Sequence, residues 1–299
     1  MTLKDITIIK GNKAITYICD KSCSSYVHQS TGMEAYKTLQ RYYKIPAVAD
    51  KTEAYFSVSG ILYANPKYNG TRKYAYGYDM NSAFSWGMLQ NMPKDTEKGP
   101  IAFSRKVKDN EIGFLADGTL ALKGEYAAYL FNSEESPFKR FVEVWYNKKK
   151  NAKTPEDKVK AKDILVMSVG YIQRKNFWYR AAIIGYCNRL IHSLIKKYPE
   201  DILISNTDSI ISTCRIPEIE ANLGQEIGQW KFEHEGNFAY IGLNYQWDFC
   251  VPTYRGIPKS WFKQFKDKYD ILRDGLPPMA NYYEYNKKKQ CLERVRYGK

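Results

Sequence analysis

One short acidic turn lies between two apolar runs in the stretch ISNTDSII, where the polar tetrad is Asn206-Thr207-Asp208-Ser209. This pattern is typical of a two-stranded β-hairpin with a tight turn. A second acidic residue, Asp79, ends a strand-like segment that alternates tyrosine with small residues, KYAYGYD. Segments with helical patterns lie between the two acidic positions. We therefore expect an α+β fold in which the two acidic strand ends can converge.

The remaining chain also predicts strands and helices in separate blocks. Strand-like patterns cover residues 6–9 and 14–18, and strands are again predicted within 54–90 and 101–131, where ADGT has the composition of a hairpin turn.

Besides the helix that follows Asp79, helices are predicted in four places. The first begins at Ser30 or Thr31 and ends before Pro46. The others have an apolar face from Phe138 to Tyr146, a start at the N-cap Thr154 with an end near Tyr171, and a span from about Trp178 to Lys197.

The composition favours a nucleic-acid-binding protein. The chain has 299 residues, a net charge of +14, and 26 Tyr, 13 Phe and 6 Trp. Basic charge and aromatic rings together are suited to binding phosphate backbones and stacked bases. The alternative is that the excess of basic residues only keeps the protein soluble. The first residues have no signal-peptide pattern and no window is apolar enough for a membrane span, so a cytoplasmic location is expected, that of a bacterial host if the gene belongs to a phage.

The six cysteines are too scattered for a disulfide framework. Cys19, Cys23 and His28 offer three zinc-ligand types, but their spacing is not standard and a fourth ligand is missing. Reduced structural cysteines are the preferred interpretation.

The two acidic residues have the chemistry of a phosphoryl-transfer site. A carboxylate at the end of a strand can hold a metal ion, and the start of the following helix, which we place at Ser82, can receive phosphate groups. Two such carboxylates on adjacent strands would make a two-metal site. Either residue alone is more often a turn former, so the hypothesis depends on their combination.

Three segments resemble the motifs of family B DNA polymerases, most closely the protein-primed branch of phages and linear mobile elements. Asp79 to Ser85 resembles D-x-x-S-L-Y-P, Lys162 to Gly170 (KDILVMSVG) resembles K-x-x-x-N-S-x-Y-G, and Asn206 to Ser209 resembles D-T-D-S. GQWKFE at 228–233, Asn244-Tyr245 and RGIPK at 255–259 are similar to later segments of that family. The similarity covers about residues 54 to 265.

The resemblance implies a role for each matching residue. Asp79 and Asp208 would be catalytic and, with Asn206, would hold two Mg²⁺ or Mn²⁺ ions. The residues implied in nucleotide binding are Lys162, Lys158, Phe84, Ser82 and Gly170. Those implied in DNA binding are Tyr245, Lys259 and Thr207. The ring at Phe84, a tyrosine in the family, would lie under the incoming sugar and exclude a 2′-hydroxyl.

The chain departs from the family at several motif positions. Val166, Met167 and Val169 replace the polar residues of the second motif, and Leu243 replaces a lysine of K-x-Y. Asn206 replaces the first aspartate of the third motif, which keeps an oxygen ligand but removes one charge. These substitutions remove polar groups that the resemblance implies as contacts to the template and to the nucleotide.

The implied architecture is a polymerase right hand with an antiparallel palm sheet, helical fingers and a small thumb. Its predicted divisions are an N-terminal segment at 1–53, palm at 54–136, fingers at 137–177, palm at 178–240, and thumb with a basic tail at 241–299. Few residues precede Asp79, so no proofreading exonuclease is expected. The pair Asp109 and Glu111 has an exonuclease-like spacing but is interpreted as a loop turn.

The resulting hypothesis is a minimal DNA-directed DNA polymerase that extends a primer with deoxynucleotides. Its partners would be primer-template DNA and nucleotides, with a terminal protein or replication accessory proteins as further candidates. Two alternatives remain open. One is a primase-like or template-relaxed nucleotidyltransferase, and the other is a non-catalytic DNA-binding replication subunit. The basic tail after Pro278 is either an arm along DNA or a solvated helix.

Overall fold

The structure is a computed structural model that describes residues 4–10, 13–19, 31–48, 59–242, 244–248, 253–254, 273, 281–286 and 291–296. Its strands are β1 (Lys4–Lys10), β2 (Lys13–Cys19), β3 (Leu62–Ala64), β4 (Arg72–Met80), β5 (Met92–Pro93), β6 (Ala102–Lys106), β7 (Glu111–Phe114), β8 (Leu120–Ala121), β9 (Tyr126–Glu134), β10 (Ile202–Asn206), β11 (Ser209–Ser212), β12 (Trp230–Ile241), β13 (Asn244–Asp248), β14 (Thr253–Tyr254), β15 (Asn281–Asn286) and β16 (Cys291–Arg296). Its helices are α1 (Thr31–Gln40), α2 (Ala83–Met88), α3 (Lys139–Lys150), α4 (Pro155–Lys175), α5 (Phe177–Lys197) and α6 (Pro217–Glu220). The predicted α+β class is confirmed.

A seven-stranded sheet has the strand order β14-β13-β12-β4-β11-β10-β3, and each pair of neighbours is antiparallel. The stretch ISNTDSII forms the predicted hairpin of β10 and β11. Strand β4 lies at the centre, between β11 and β12, although both are far from it in sequence. The sheet therefore places the end of β4 directly beside the hairpin turn.

A second sheet of five strands is built from residues between β4 and α3. Its order is β5-β9-β7-β8, with β6 also paired to β9. The predicted ADGT turn joins β7 to β8, and Gly118 has the positive φ, 85°, that this turn requires. The pair Asp109 and Glu111 lies at the turn into β7, and Arg105 binds Glu111 through both guanidinium NH₂ groups at 2.8 Å, which agrees with its interpretation as a structural turn.

The helices begin and end at residues with specific hydrogen bonds. Thr154 caps α4 by accepting a hydrogen bond from the Asp157 backbone amide at 3.1 Å, as predicted. Helix α4 continues to Lys175, beyond the predicted end near Tyr171. Asn176 then caps α5 by accepting from the Tyr179 amide at 3.2 Å. This buried asparagine, which the apolar periodicity does not reveal, sets the boundary between the two helices.

The core has separate parts on the helices and on the two faces of the seven-stranded sheet. The largest cluster joins α1, α3, α4 and the start of α5 to the five-stranded sheet. A second cluster packs Tyr78, Ile210 and Trp230 of the large sheet against Cys187 and Ile191 of α5. A third lies on the opposite face and includes Ala75, Ile211 and Trp247. The large sheet is thus supported by α5 on one side.

The two terminal regions form hairpins in the described residues. Strands β1 and β2 confirm the predicted N-terminal strands. Strands β15 and β16 pair antiparallel, so a solvated helix for the tail is wrong, while an arm along DNA stays a prediction. Cys23, His28, Ser30 and Lys259 lie outside the described residues. None of the helices in the described part of the chain combines the length and apolar character that a membrane span requires.

Candidate active site

The register of the large sheet aligns four polar residues in one row. Asp79 lies opposite Ser209 on one side and opposite Lys231 on the other, and Ser209 lies opposite Asn206. Residues directly opposite each other in a sheet project to the same face. The row therefore places the side chains of Asn206, Ser209, Asp79 and Lys231 on the same face of the sheet.

Asp208 lies in the hairpin turn beside this row. Its carbonyl accepts a hydrogen bond from the Met80 amide at 2.8 Å, which ties the turn to the end of β4. Thr207 has a positive φ of 64°, unusual for a β-branched residue, and its amide donates to the Ile61 carbonyl at 2.7 Å. A Cβ on Gly60 would lie 2.5 Å from Thr207 Cγ2, so glycine allows this close packing. The turn is held by neighbours on both sides.

The charges around Asp79 do not balance. The pKa of Asp79 is raised to about 7, first by burial and then by the nearby Asp208 and Glu233 carboxylates, while Lys231 and Lys162 act in the opposite direction. Two carboxylates close together favour protonation of one of them unless a cation is present. The site therefore has the electrostatics of a cation-binding pair.

Magnesium fits this donor set. It is commonly bound by one or two carboxylates together with substrate phosphates and water, rather than by a complete protein cage. No group of three or more His, Cys, Asp or Glu side chains within the described residues is arranged to hold a metal by itself. Asp79 and Asp208 are the two carboxylates of the predicted motifs, with the Asn206 side chain at the end of the same row as a neutral oxygen donor.

A basic cavity of about 640 Å³ opens next to the carboxylates. Lys149 from α3, Lys158 from α4 and Lys231 from β12 line it, together with Asn81 and Tyr146. Burial lowers the pKa of Lys149, and the neighbouring Lys231, Lys162 and Lys158 lower it further. Ammonium groups this close together repel one another, so the cavity favours an anionic ligand.

The residues after Asp79 connect the sheet to the helices. The buried Asn81 donates to Tyr146 Oη at 3.0 Å and to the Glu226 carbonyl at 2.9 Å. Ser82 accepts a hydrogen bond from Lys149 Nζ at 2.7 Å. The predicted helix start at Ser82 is confirmed, since α2 begins at Ala83, but Ser82 has a left-handed φ of 56° and makes no side-chain capping hydrogen bond. Its hydroxyl instead positions a lysine of the cavity.

The other predicted nucleotide-binding residues lie on two helices. Phe84 on α2 is half-buried and packs against both the helical core and the core under the large sheet. Lys158, Lys162 and Gly170 are exposed on α4, and a Cβ on Gly170 would meet no atom within 4 Å. Lys158 lines the cavity, and Lys162 is near enough to lower the pKa of Asp79.

The predicted DNA-binding residues are more dispersed. Thr207 is in the hairpin turn, beside Asp208. Tyr245 lies on β13, where its ring centre is 5.3 Å from that of Phe238. Their roles toward DNA stay predictions.

Lys149 and Lys231 belong to the site although the sequence did not single them out. Lys149 follows Val142 and Tyr146 at helical spacing, so it is the one lysine of the run 148–150 on the buried side of α3. That placement was a usable signal. Lys231 gave none, because its position opposite Asp79 depends on pairing between strands distant in sequence.

No protein-family model matches the chain, and no curated protein matches it in sequence. Solved structures with a similar fold do exist. Phi29 DNA polymerase in an orthorhombic crystal form has a TM-score of 0.66 at 13% identity, over 91% of this chain and 68% of that chain. Its complex with primer-template DNA gives a TM-score of 0.64 at 15% identity, over 89% and 66%. Its ternary complex with primer-template DNA and incoming nucleotides gives 0.59 at 16% identity, over 73% and 55%.

These similarities define the fold of the chain. It is a mixed α+β fold similar to that of Phi29 DNA polymerase, with low sequence identity. The chain spans between 55% and 68% of the length of those three polymerase chains. The resemblance to family B DNA polymerases is supported at the level of fold, and the protein-primed branch stays a prediction.

Proposed function

We propose that the protein is a template-directed DNA polymerase that extends a primer 3′ end with deoxynucleotides. The observation that carries the proposal is the sheet register, which brings Asp79 beside Asp208 at the edge of a lysine-lined cavity. The fold similarity to a DNA polymerase supports it independently. In this proposal strands β3, β4, β10, β11 and β12 of the seven-stranded sheet belong to the palm, and α3 and α4 belong to the fingers.

The chain's own residues divide the work between metal binding and phosphate binding. Asp79 and Asp208, with Asn206 as a weaker donor, would hold two Mg²⁺ or Mn²⁺ ions. When bound, such ions activate the attacking 3′-oxygen and stabilise the leaving oxygen. Lys149, Lys158 and Lys162 bind the triphosphate and stabilise the charge that develops on the pyrophosphate.

A second candidate is a nucleotidyltransferase with relaxed dependence on the template. Val166 and Met167 stand where the resembling family has polar residues, and they are exposed by 41% and 39% on α4. Val166 follows Lys162 by four positions, so it lies near the same face of the helix. Apolar groups here remove hydrogen bonds that the resemblance implies for template and nucleotide.

One extension assay separates these functions. A labelled primer annealed to a template is incubated with Mg²⁺ and deoxynucleotides, with parallel reactions that lack the primer or the template. The proposal predicts extension only in the complete reaction. Products without primer or without template would support the second candidate, and DNA binding without any product would indicate a non-catalytic subunit. The priming mechanism, accessory partners and absence of proofreading stay predictions.

The Phe84→Val variant tests the sugar-selection role of Phe84. If the Phe84 ring is a steric gate, its replacement by valine should leave deoxynucleotide addition measurable. The efficiency of ribonucleotide addition should rise about tenfold relative to that of deoxynucleotide addition, the effect of losing roughly 1.4 kcal/mol of discrimination. Efficiencies for matched deoxy- and ribonucleotides are measured together with the melting temperature. If Phe84 is only a core residue, both activities and the melting temperature should fall while the ratio stays unchanged.

A further inference from the structure

Lys231 is fixed in the sheet directly opposite Asp79. Its Nζ lies 4.0 Å from Asp79 Oδ2, and the two side chains are 43% and 29% exposed. A partly exposed pair at this distance is weak and is easily exchanged for other contacts. The backbone of Lys231 is therefore fixed on β12, but its ammonium group is not held tightly to the carboxylate.

The same lysine also lines the basic cavity, but it belongs to a different element from the helical lysines. Lys149 and Lys158 reach the cavity from α3 and α4, whereas Lys231 reaches it from the large sheet. Lys150, which also lines the cavity, has an ion pair with Glu226. Lys149 instead donates to the neutral hydroxyl of Ser82. The cavity thus receives positive charge from the large sheet as well as from the helices.

We propose that Lys231 is a substrate-binding residue with two alternating partners. Without a nucleotide its ammonium contacts Asp79, and when a nucleotide binds it turns to the terminal phosphates, which are then held from the sheet as well as from the helices. Before the nucleotide binds, its charge also opposes the entry of a divalent cation beside Asp79. This inference rests on the proposed function, because the ligand is the triphosphate of the substrate.

The first test is nucleotide binding without metal. Isothermal titration of dATP into the protein in EDTA should show that Lys231→Gln weakens binding about tenfold, the loss expected for one charge-assisted hydrogen bond. Lys231→Arg should keep most of the affinity. Lys139→Gln is the matched control, because Lys139 lies on α3 in an ion pair with Glu135 and does not line the cavity.

The second test is metal binding without nucleotide. Titration of Mn²⁺, followed by electron paramagnetic resonance, should show that Lys231→Gln binds the ion about fivefold more tightly, because one positive charge near the carboxylates is removed. A melting curve checks that each variant is folded, and Lys231→Thr replaces Lys231→Gln if the latter is unfolded.

Opposite changes in the two affinities would support the proposal. Unchanged dATP affinity would overturn it, and so would Mn²⁺ affinity that stays the same or falls. Neither measurement needs turnover. A wild-type protein that fails to extend a primer would therefore reject the proposed polymerase function without deciding the role of Lys231.

Discussion

Replacing Asp208 by alanine is expected to lower the rate of nucleotide addition roughly a thousandfold or more, and Asp79→Ala is expected to do the same. Each change removes one of the two carboxylates that the sheet brings together, and with it the charge that would hold the ions at the reacting oxygens. Asn206→Asp should change the rate little or raise it, because it adds a carboxylate at the end of the same row. Single-nucleotide addition under single-turnover conditions measures all three variants.

The stability of these variants distinguishes lost chemistry from lost structure. Asp79 and Asp208 repel each other, so removing either should leave the melting temperature in metal-free buffer unchanged or raised. Asp109→Ala is the control for losing a carboxylate, since Asp109 is exposed and paired only at the surface with Lys123. Its activity should match wild type. If Asp79→Ala or Asp208→Ala adds nucleotides at the wild-type rate, the active site is wrongly placed.

The Gly87→Ala variant is expected to destabilise the protein by about 1–3 kcal/mol through overpacking. A Cβ on Gly87 would lie 2.4 Å from the Ile183 carbonyl oxygen, so α2 must move away from α5. Helix α2 follows Asp79 directly, and α5 precedes the hairpin that carries Asp208. Activity should therefore fall together with the melting temperature, which calorimetry measures.

Gly170→Ala is the matched control for this variant. It also replaces a helical glycine, but its new Cβ meets no atom within 4 Å. Alanine should stabilise α4 by up to about 1 kcal/mol. A melting temperature of Gly87→Ala equal to that of wild type would contradict the close packing of α2 on α5.

Local patterns predicted most elements of this fold. The turn at Thr207 and Asp208, the ADGT turn and the cap at Thr154 each depend on residues close in sequence, and each is present. The boundary at Asn176 was missed, because its capping role depends on a buried side-chain hydrogen bond rather than on apolar spacing. The tail hairpin was missed because its run of lysines has no clear strand alternation.

The site was predictable only in part, for a physical reason. Alternation along β4 and β12 determines which face Asp79 and Lys231 occupy, but their pairing depends on register between strands far apart in the chain. The motif resemblance supplied Asp79 and Asp208 as partners without that register. It could not supply Lys231, whose contribution depends on a contact across the sheet.

The most direct test of the central claim is addition of one nucleotide to a primer on four templates that differ only in the next base, with each of the four deoxynucleotides supplied separately. The claim predicts addition of the complementary nucleotide on each template by the wild-type protein, and addition slower by roughly a thousandfold or more in Asp208→Ala. Failure of the wild-type protein to add any nucleotide would contradict it, as would addition that ignores the template base or proceeds at the wild-type rate in Asp208→Ala.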